Sequence, residues 1–249
     1  MSTKYHNIAA IVLAAGKGTR MKSSKAKVLH FLAGRPMISY VIETAIKVVG
    51  NDIVVVIGHQ ADAVRRHVSN AGQVFFAYQE NQLGTGHAVQ CALPSLPADI
   101  ENVIILCGDV PLITEQTLTS LVDAHLNGQY AVTVLGVNLE DPSGYGRVVT
   151  DGNGDVVRIV EDADAAASEK CISTINSGVY CVHRSFLEGA ITRLKSDNAQ
   201  NEIYLTDIIE IATHSKRPVG MMLAEKHTEL LGINTLEELK RVEALLDDQ

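Results

Sequence analysis

No stretch of the 249-residue chain reaches eighteen consecutive apolar residues. A bilayer core needs about 20 of them in a spanning helix, so no membrane-spanning helix is expected. The opening M-S-T-K-Y-H-N lacks the basic-then-apolar plan of a secretory signal, and a cytoplasmic protein with no membrane partner is the expectation. Cysteine is scarce. The four residues Cys91, Cys107, Cys171 and Cys181 show no C-x-x-C spacing. Three lie in or beside apolar runs, where a free thiol behaves as a small hydrophobe, so neither a disulfide nor cysteine-bound zinc is expected. The nine histidines include no H-E-x-x-H or similar ligand spacing, so most read as surface or structural residues. The isoelectric point near 5.6 argues against a nucleic-acid partner, which would call for a domain-wide basic face.

Acidic residues are absent from one end. The first Asp or Glu is Glu43, whereas the 42 residues before it carry seven Lys or Arg, in a chain of net charge -8. Length and 46% apolar composition suit one large α/β domain with a substantial core.

That cationic end holds the most informative stretch. Residues 8–27 begin as an apolar run that reads as a buried strand, then break at Gly16 and Gly18 into a loop whose backbone can approach a ligand closely. Lys17, Arg20, Lys22, Lys25 and Lys27 follow with no acid among them. Bare loop amides and fixed cations together favour an anion. Glycine loops and lysine runs are also common on ordinary α/β surfaces, and two stricter templates fail. Met21 stands where the dinucleotide fingerprint G-x-G-x-x-G needs its third glycine, which disfavours a dehydrogenase, and no spacing around Gly16 supplies a P-loop. The residues by themselves give an anion-binding loop of unspecified kind.

Further along, strand and helix signals alternate. Residues 28–32 read as a short extended piece. Gly34-Arg35-Pro36 opens a helix to about Val48, with Pro36 near its first turn. Residues 53–57, I-V-V-V-I, read as a strand buried on both faces, hence part of a parallel sheet. A helix over 61–69, a strand over 74–78 and a strand over 103–109 continue the pattern of a Rossmann-like, doubly wound, mostly parallel sheet. Residues 79–88, Q-E-N-Q-L-G-T-G-H-A, leave a strand and enter a helix, with Thr85 available as a cap. Asp109, at a strand's carboxyl end, suits either a magnesium ligand or a turn residue. A helix over 114–127 is closed by Gly128, and a strand follows over 130–137. Residues 141–149 and 155–161 flank Asp151-Gly152-Asn153-Gly154, a hairpin that interrupts the alternation and suggests an insertion over one end of the sheet. Asn176-Ser177-Gly178 precedes a strand over 179–182. Thr235 and Glu238 form a capping box for a last helix through Leu246.

The run L-A-A-G-K-G-T-R-M, followed by Lys27, resembles the signature of the sugar-nucleotidyltransferases. Q-x-x-Q-L-G-T-G-H-A narrows the resemblance to the N-acetylglucosamine-1-phosphate uridylyltransferases, over nearly the whole chain. The resemblance implies transfer of uridylyl from UTP to N-acetylglucosamine 1-phosphate with Mg2+, in a path to cell-wall precursors. It implies catalytic cations at Arg20 and Lys27, nucleotide contacts from Leu13, Ala14, Ala15, Gly16, Gln79, Gly84 and Thr85, and a substrate contact from Gly108. Sugar contacts are implied at Gly146, Glu161 and Asn176, and metal ligands at Asp109 and Asn234. On this view residues 1–110 form the nucleotide part, 111–231 the sugar part, and 232–249 the metal-ligand turn and last helix. The chain departs from the family pattern at Cys107, where Tyr is frequent, and at Asn201 and Ile203, where Gly and Tyr are usual; of the segment 198–209 only a helix-starting role is carried over. Two alternatives stay open: another sugar or base, and a catalytically silent nucleotide-sugar binding module. The 249 residues contain no six-residue repeat. No β-helix acetyltransferase, acetyl transfer or β-helix trimer is therefore expected of them, and the oligomeric state is open.

Overall fold

A computed structural model describes residues 5–70 and 72–247. The N-terminal stretch read as lacking a secretory plan therefore begins outside the described residues. In chain order the elements are β1 (Ile8–Leu13), β2 (Phe31–Leu32), β3 (Arg35–Pro36), α1 (Met37–Val49), β4 (Ile53–Ile57), α2 (Ala61–Ser69), β5 (Phe75–Tyr78) and α3 (Thr85–Ala92). There follow β6 (Asn102–Cys107), α4 (Glu115–Asn127), β7 (Val132–Asn138), β8 (Arg147–Thr150), β9 (Val156–Val160), α5 (Ala167–Lys170) and β10 (Thr174–His183). The last are α6 (Arg184–Ile191), α7 (Asp207–His214), β11 (Val219–Leu223) and α8 (Leu236–Asp247). No helix among the described residues is long and apolar enough to cross a membrane.

Nine strands form one sheet in the order β11-β7-β10-β6-β1-β4-β5, with β8 and β9 attached through β10. The four strands β6, β1, β4 and β5 are parallel, and alternation along them explains the burial on both faces. Ile8, Ala10 and Val12 of β1 enter one core with α1, α2 and α4. Ala9 and Ile11 enter a second core with α3, α6 and α7. Each helix supplies only its apolar stripe, as an amphipathic helix on a sheet must. The sheet is mixed because β10 runs antiparallel to both β6 and β7.

Four local readings change. Residues 27–29 form a short 3-10 turn before β2. β2 and β3 then make a small hairpin around Ala33 and Gly34, both left-handed, the turn that matches strand twist. Pro36 is consequently a strand residue immediately before α1. Asn176-Ser177-Gly178 lies inside β10, where the register shifts between Asn176 and Val179. Ser177 compensates the bulge: its hydroxyl donates to the Leu135 carbonyl at 2.6 Å and accepts from Val179 N–H at 3.2 Å. The β8–β9 hairpin is joined to the sheet, Arg147 pairing with Ile175 of β10.

On the buried face of α4, His125 reaches two strands of the sheet. Its Nδ1 lies 2.9 Å from Thr133 Oγ1, and its Nε2 lies 3.2 Å from the Asn102 amide oxygen. Burial, then the neighbouring His183, lowers its pKa to about 4. The unfolded chain protonates near 6.5, so between those values only the unfolded state carries the extra proton. Stability is thus full above pH 6.5 and falls as the pH drops toward 4. Urea unfolding at pH 7 and pH 5 is expected to show this loss, and a folded His125→Gln variant should show less of it.

Candidate active site

The carboxyl ends of β1, β4, β5 and β6 lie side by side, Leu13 opposite both Val56 and Cys107, and Ile57 opposite Tyr78. Ligands of doubly wound sheets bind outside such ends, where the loops diverge. A cavity of about 540 Å³ opens there. A second, of about 240 Å³, lies on the hairpin side. The two share Leu13, Arg20, Thr85, Cys107, Asp109 and Asn234.

Leu13, Ala14, Ala15, Gly16, Lys27, Gln79 and Gly84 line the first cavity. A Cβ added at Gly16 would meet nothing within 4 Å, so its backbone fronts open space. Gly18 has φ +62°, and a Cβ there would lie 2.5 Å from that of Lys27. Glycine is what lets the loop close over the lysine stem. Met21, in the place of a third glycine, is buried with Leu32, Met37, Ile233, Leu239 and Val242. This cluster draws the turn before α8 against the cationic loop, and a glycine would leave it unfilled.

At the junction of the cavities four polar side chains converge. Lys27 Nζ forms an ion pair with Asp109 Oδ2 and donates to Asn234 Oδ1 at 3.0 Å. Arg20 donates to the same Asn234 oxygen at 2.8 Å. Asn234 is 214 residues from Arg20 and is fixed from behind. The Asp109 carbonyl accepts from Ile233 N–H at 2.9 Å. Glu238 Oε2 accepts from Asn234 and Thr235 N–H at 2.5 and 3.0 Å, and Thr235 Oγ1 accepts from Glu238 N–H at 3.1 Å. The capping box therefore holds the turn as well as the helix. A carboxylate and an amide oxygen aimed at one cationic point form a hard donor set. Among the described residues no group of three or more His, Cys, Asp or Glu side chains could hold a metal. The pair fits a small divalent cation that completes its shell with phosphate and water better than one that needs an all-protein cage.

At the far wall Gly84 has φ +115°, and a Cβ there would fall 2.5 Å from the Ile203 carbonyl oxygen and 2.7 Å from its nitrogen. Ile203 is hydrogen-bonded to this loop through its backbone, its N–H donating to the Leu83 carbonyl and its carbonyl accepting from Gly86 N–H, while its side chain lies against Gly86. Those two backbone bonds do not depend on which side chain stands there, Ile here or the Tyr usual in the resembled family. Asn201 has φ +53°, the left-handed region that favours Gly and tolerates Asn, so the second departure is also accommodated. Thr85 does not cap α3; its Oγ1 accepts from Leu205 N–H at 3.0 Å, 120 residues away. We expect Gly84→Ala to lower Tm by roughly 5–10 °C and to weaken nucleotide binding. Gly152→Ala, with nothing within 4 Å of its Cβ, should leave both unchanged in a thermal scan with added nucleotide.

Gly146, Glu161 and Asn176 line the second cavity. Asn176 N–H donates to the Gly146 carbonyl at 2.8 Å, and Asn176 Oδ1 accepts from Gly178 N–H at 3.0 Å. Thr206 donates to Glu161 Oε1 at 3.2 Å. Burial raises the Glu161 pKa above the usual carboxylate value despite that bond. Cys107, where Tyr is frequent in the resembled family, lies 3.5 Å from the Gly178 carbonyl, and burial pushes its thiol up to about 12. It is a neutral wall residue at pH 7. Gly108 lines neither cavity. Its N–H donates to Leu13 at 3.0 Å, and a Cβ would press on that same carbonyl and on Val28.

The sequence reading gave no site role to several wall residues: Gln82 and Glu202 in the first cavity, Tyr145 and Thr206 in the second. Gln82 lies inside the motif Q-x-x-Q-L-G-T-G-H-A and Tyr145 immediately precedes the implied sugar contact Gly146, so both could have been flagged. Glu202 and Thr206 lie in the segment 198–209, from which only a helix-starting role was carried over.

The nucleotidyl transferase family model matches residues 9–228. The chain is 48% identical over 240 residues to the bifunctional protein GlmU of Pelobacter propionicus, covering 96% of this chain and 52% of the relative. It is 48% identical over 241 residues to the same-named protein of Geotalea uraniireducens, covering 97% and 53%. The chain thus spans about half the length of these curated relatives. A solved structure from Bacillus anthracis, named for glucose-1-phosphate thymidylyl transfer, superposes with a TM-score of 0.73 at 18% identity, over 97% of this chain and 96% of that one. This likeness concerns the fold.

Proposed function

The chain belongs to the nucleotidyl transferase family, and from that premise we propose that it transfers uridylyl from UTP to N-acetylglucosamine 1-phosphate, releasing pyrophosphate. The observation that carries the reading is the pair of cavities meeting at Arg20, Asp109 and Asn234. A two-substrate phosphoryl transfer needs its acceptor and donor on either side of one charged point. UTP fits the larger cavity along the cationic loop, its base toward Gln79, Gly84 and Thr85. The sugar phosphate fits the smaller cavity, its hydroxyls toward Glu161 and Asn176 and the Gly146 backbone.

The attacking phosphate is already an anion, so no general base is required. Charge and alignment are the obstacles, and positioning with fixed opposite charge answers them. Arg20, at the border of the cavities, faces both the attacking phosphate and the triphosphate. Lys27, beneath the glycine loop, holds the triphosphate, and the amides at Ala15 and Gly16 add donors, the Ala14 N–H being committed to the Val56 carbonyl at 2.9 Å. Asp109 and Asn234 would hold Mg2+, which when bound neutralises phosphate charge and favours the leaving pyrophosphate. Pyrophosphate release across four nucleoside triphosphates and a panel of sugar 1-phosphates tests the reading. The expected result is release chiefly from UTP with N-acetylglucosamine 1-phosphate. A different preferred pair would move the chain to another substrate within the family, and nucleotide binding without turnover would make it a binding module.

A further inference from the structure

Gln79 leaves β5 with its main chain fixed on both sides. Its N–H donates to Ile57 at 2.8 Å, and its carbonyl accepts from Gln82 Nε2 at 2.9 Å. The residue is 3% exposed and lines the larger cavity, so the orientation of its amide decides what a ligand meets. Nε2 lies 3.0 Å from the Gly84 carbonyl and 3.1 Å from His87 Nδ1. A carbonyl oxygen can only accept, which identifies the nitrogen end of the amide. The second amide hydrogen then goes to an unprotonated Nδ1, and in that neutral imidazole Nε2 carries the hydrogen. His87 Nε2 lies 3.7 Å from Cys91 Sγ, a soft partner suited to a weak N–H donation. Both hydrogens of the Gln79 amide are thereby engaged by acceptors of the protein itself, and its oxygen is the atom left for a ligand.

We propose that His87 is a positioning residue for base selection. By holding the Gln79 NH2 group inward, it presents an acceptor oxygen to the cavity. A base with a ring N–H at that edge is admitted, and a base with a ring acceptor there is refused. The proposal rests on the uridylyl-transfer reading, which places a base beside Gln79. Uracil carries a hydrogen on N3, whereas cytosine offers a bare N3 lone pair. To welcome cytosine the amide would have to turn over, aiming its oxygen at the Gly84 carbonyl and at His87 Nδ1. The Gly84 carbonyl opposes that turn outright, and His87 opposes it as long as its hydrogen is kept on Nε2 beside Cys91 Sγ; removing His87 weakens the opposition.

Calorimetric titration of UTP and CTP, with Mg2+ present, into the wild type and into His87→Leu, His87→Phe and His87→Asn tests this, with folding checked by circular dichroism. Leu and Phe remove the acceptor; Asn keeps an oxygen close to the place of Nδ1. The wild type is expected to prefer UTP by about a hundredfold. Whichever apolar variant folds should narrow that preference about tenfold, and His87→Asn should recover most of it. Equal binding of the two nucleotides by the wild type, an unchanged ratio in the folded apolar variants, or no recovery in His87→Asn would each overturn the proposal. Pyrophosphate release with N-acetylglucosamine 1-phosphate, measured in parallel, separates the two levels. Selective binding without release would remove the transfer reading and leave the role of His87 intact. Release with an unchanged ratio in the apolar variants would do the reverse.

Discussion

Arg20→Ala is expected to lower kcat by about 10²–10³, the effect of removing one donor aimed at developing transition-state charge. Arg20 is an exposed side chain on the loop and lines both cavities. Its hydrogen bond runs to Asn234 Oδ1, which Lys27 also satisfies, so its loss leaves no buried group orphaned. The neighbouring Met21 anchor stays in its apolar cluster, and the melting temperature should change little. The split between kinetic constants matters more than the size of the effect. A group that acts on the transition state lowers kcat and kcat/KM together, whereas one that merely attracts substrate raises KM. Arg20→Lys should recover only part of the rate, since an ammonium keeps the charge but cannot present a planar fork to phosphate oxygens. Near-normal kcat in Arg20→Ala would remove this residue from the site.

Asp109→Ala is expected to cost about 10³ or more in kcat and to resist rescue at ordinary Mg2+ concentrations. The carboxylate is the only anionic member of the junction; without it Lys27 keeps Asn234 alone as a partner. The same argument predicts that EDTA abolishes turnover of the wild type and that Mg2+ restores it. Asn234→Ala, which removes a neutral oxygen, should be recovered in part by raising Mg2+, because a lost amide ligand weakens a hard-cation site less than a lost carboxylate. A Mg2+ titration of initial rates for the three proteins decides the matter. Metal-independent turnover, or an Asp109→Ala variant as active as the wild type, would refute the metal assignment.

The order of elements and the chemistry of the first loop could be read from sequence because both are local. Runs such as I-V-V-V-I declare a strand with two buried faces, and Gly16 and Gly18 with their following cations declare an anion loop within a dozen residues. The capping box at Thr235 is likewise a four-residue pattern that geometry turns directly into hydrogen bonds. What lay beyond reach depended on strand order. Pairing of β8 with β10 puts Asn176 beside Gly146, and no periodicity along the chain encodes that choice. Lys27 and Asn234 are 207 residues apart, and their meeting requires the apolar packing of Met21 on Ile233. Thr85 shows the same limit at one residue: its sequence context offers a helix cap, and its hydroxyl instead serves Leu205 across the fold. Local pattern fixes which groups can make hydrogen bonds and which faces must be buried. Which partner each group receives is decided when distant strands are laid side by side, since a buried polar group takes whatever acceptor or donor the packed neighbours bring within reach.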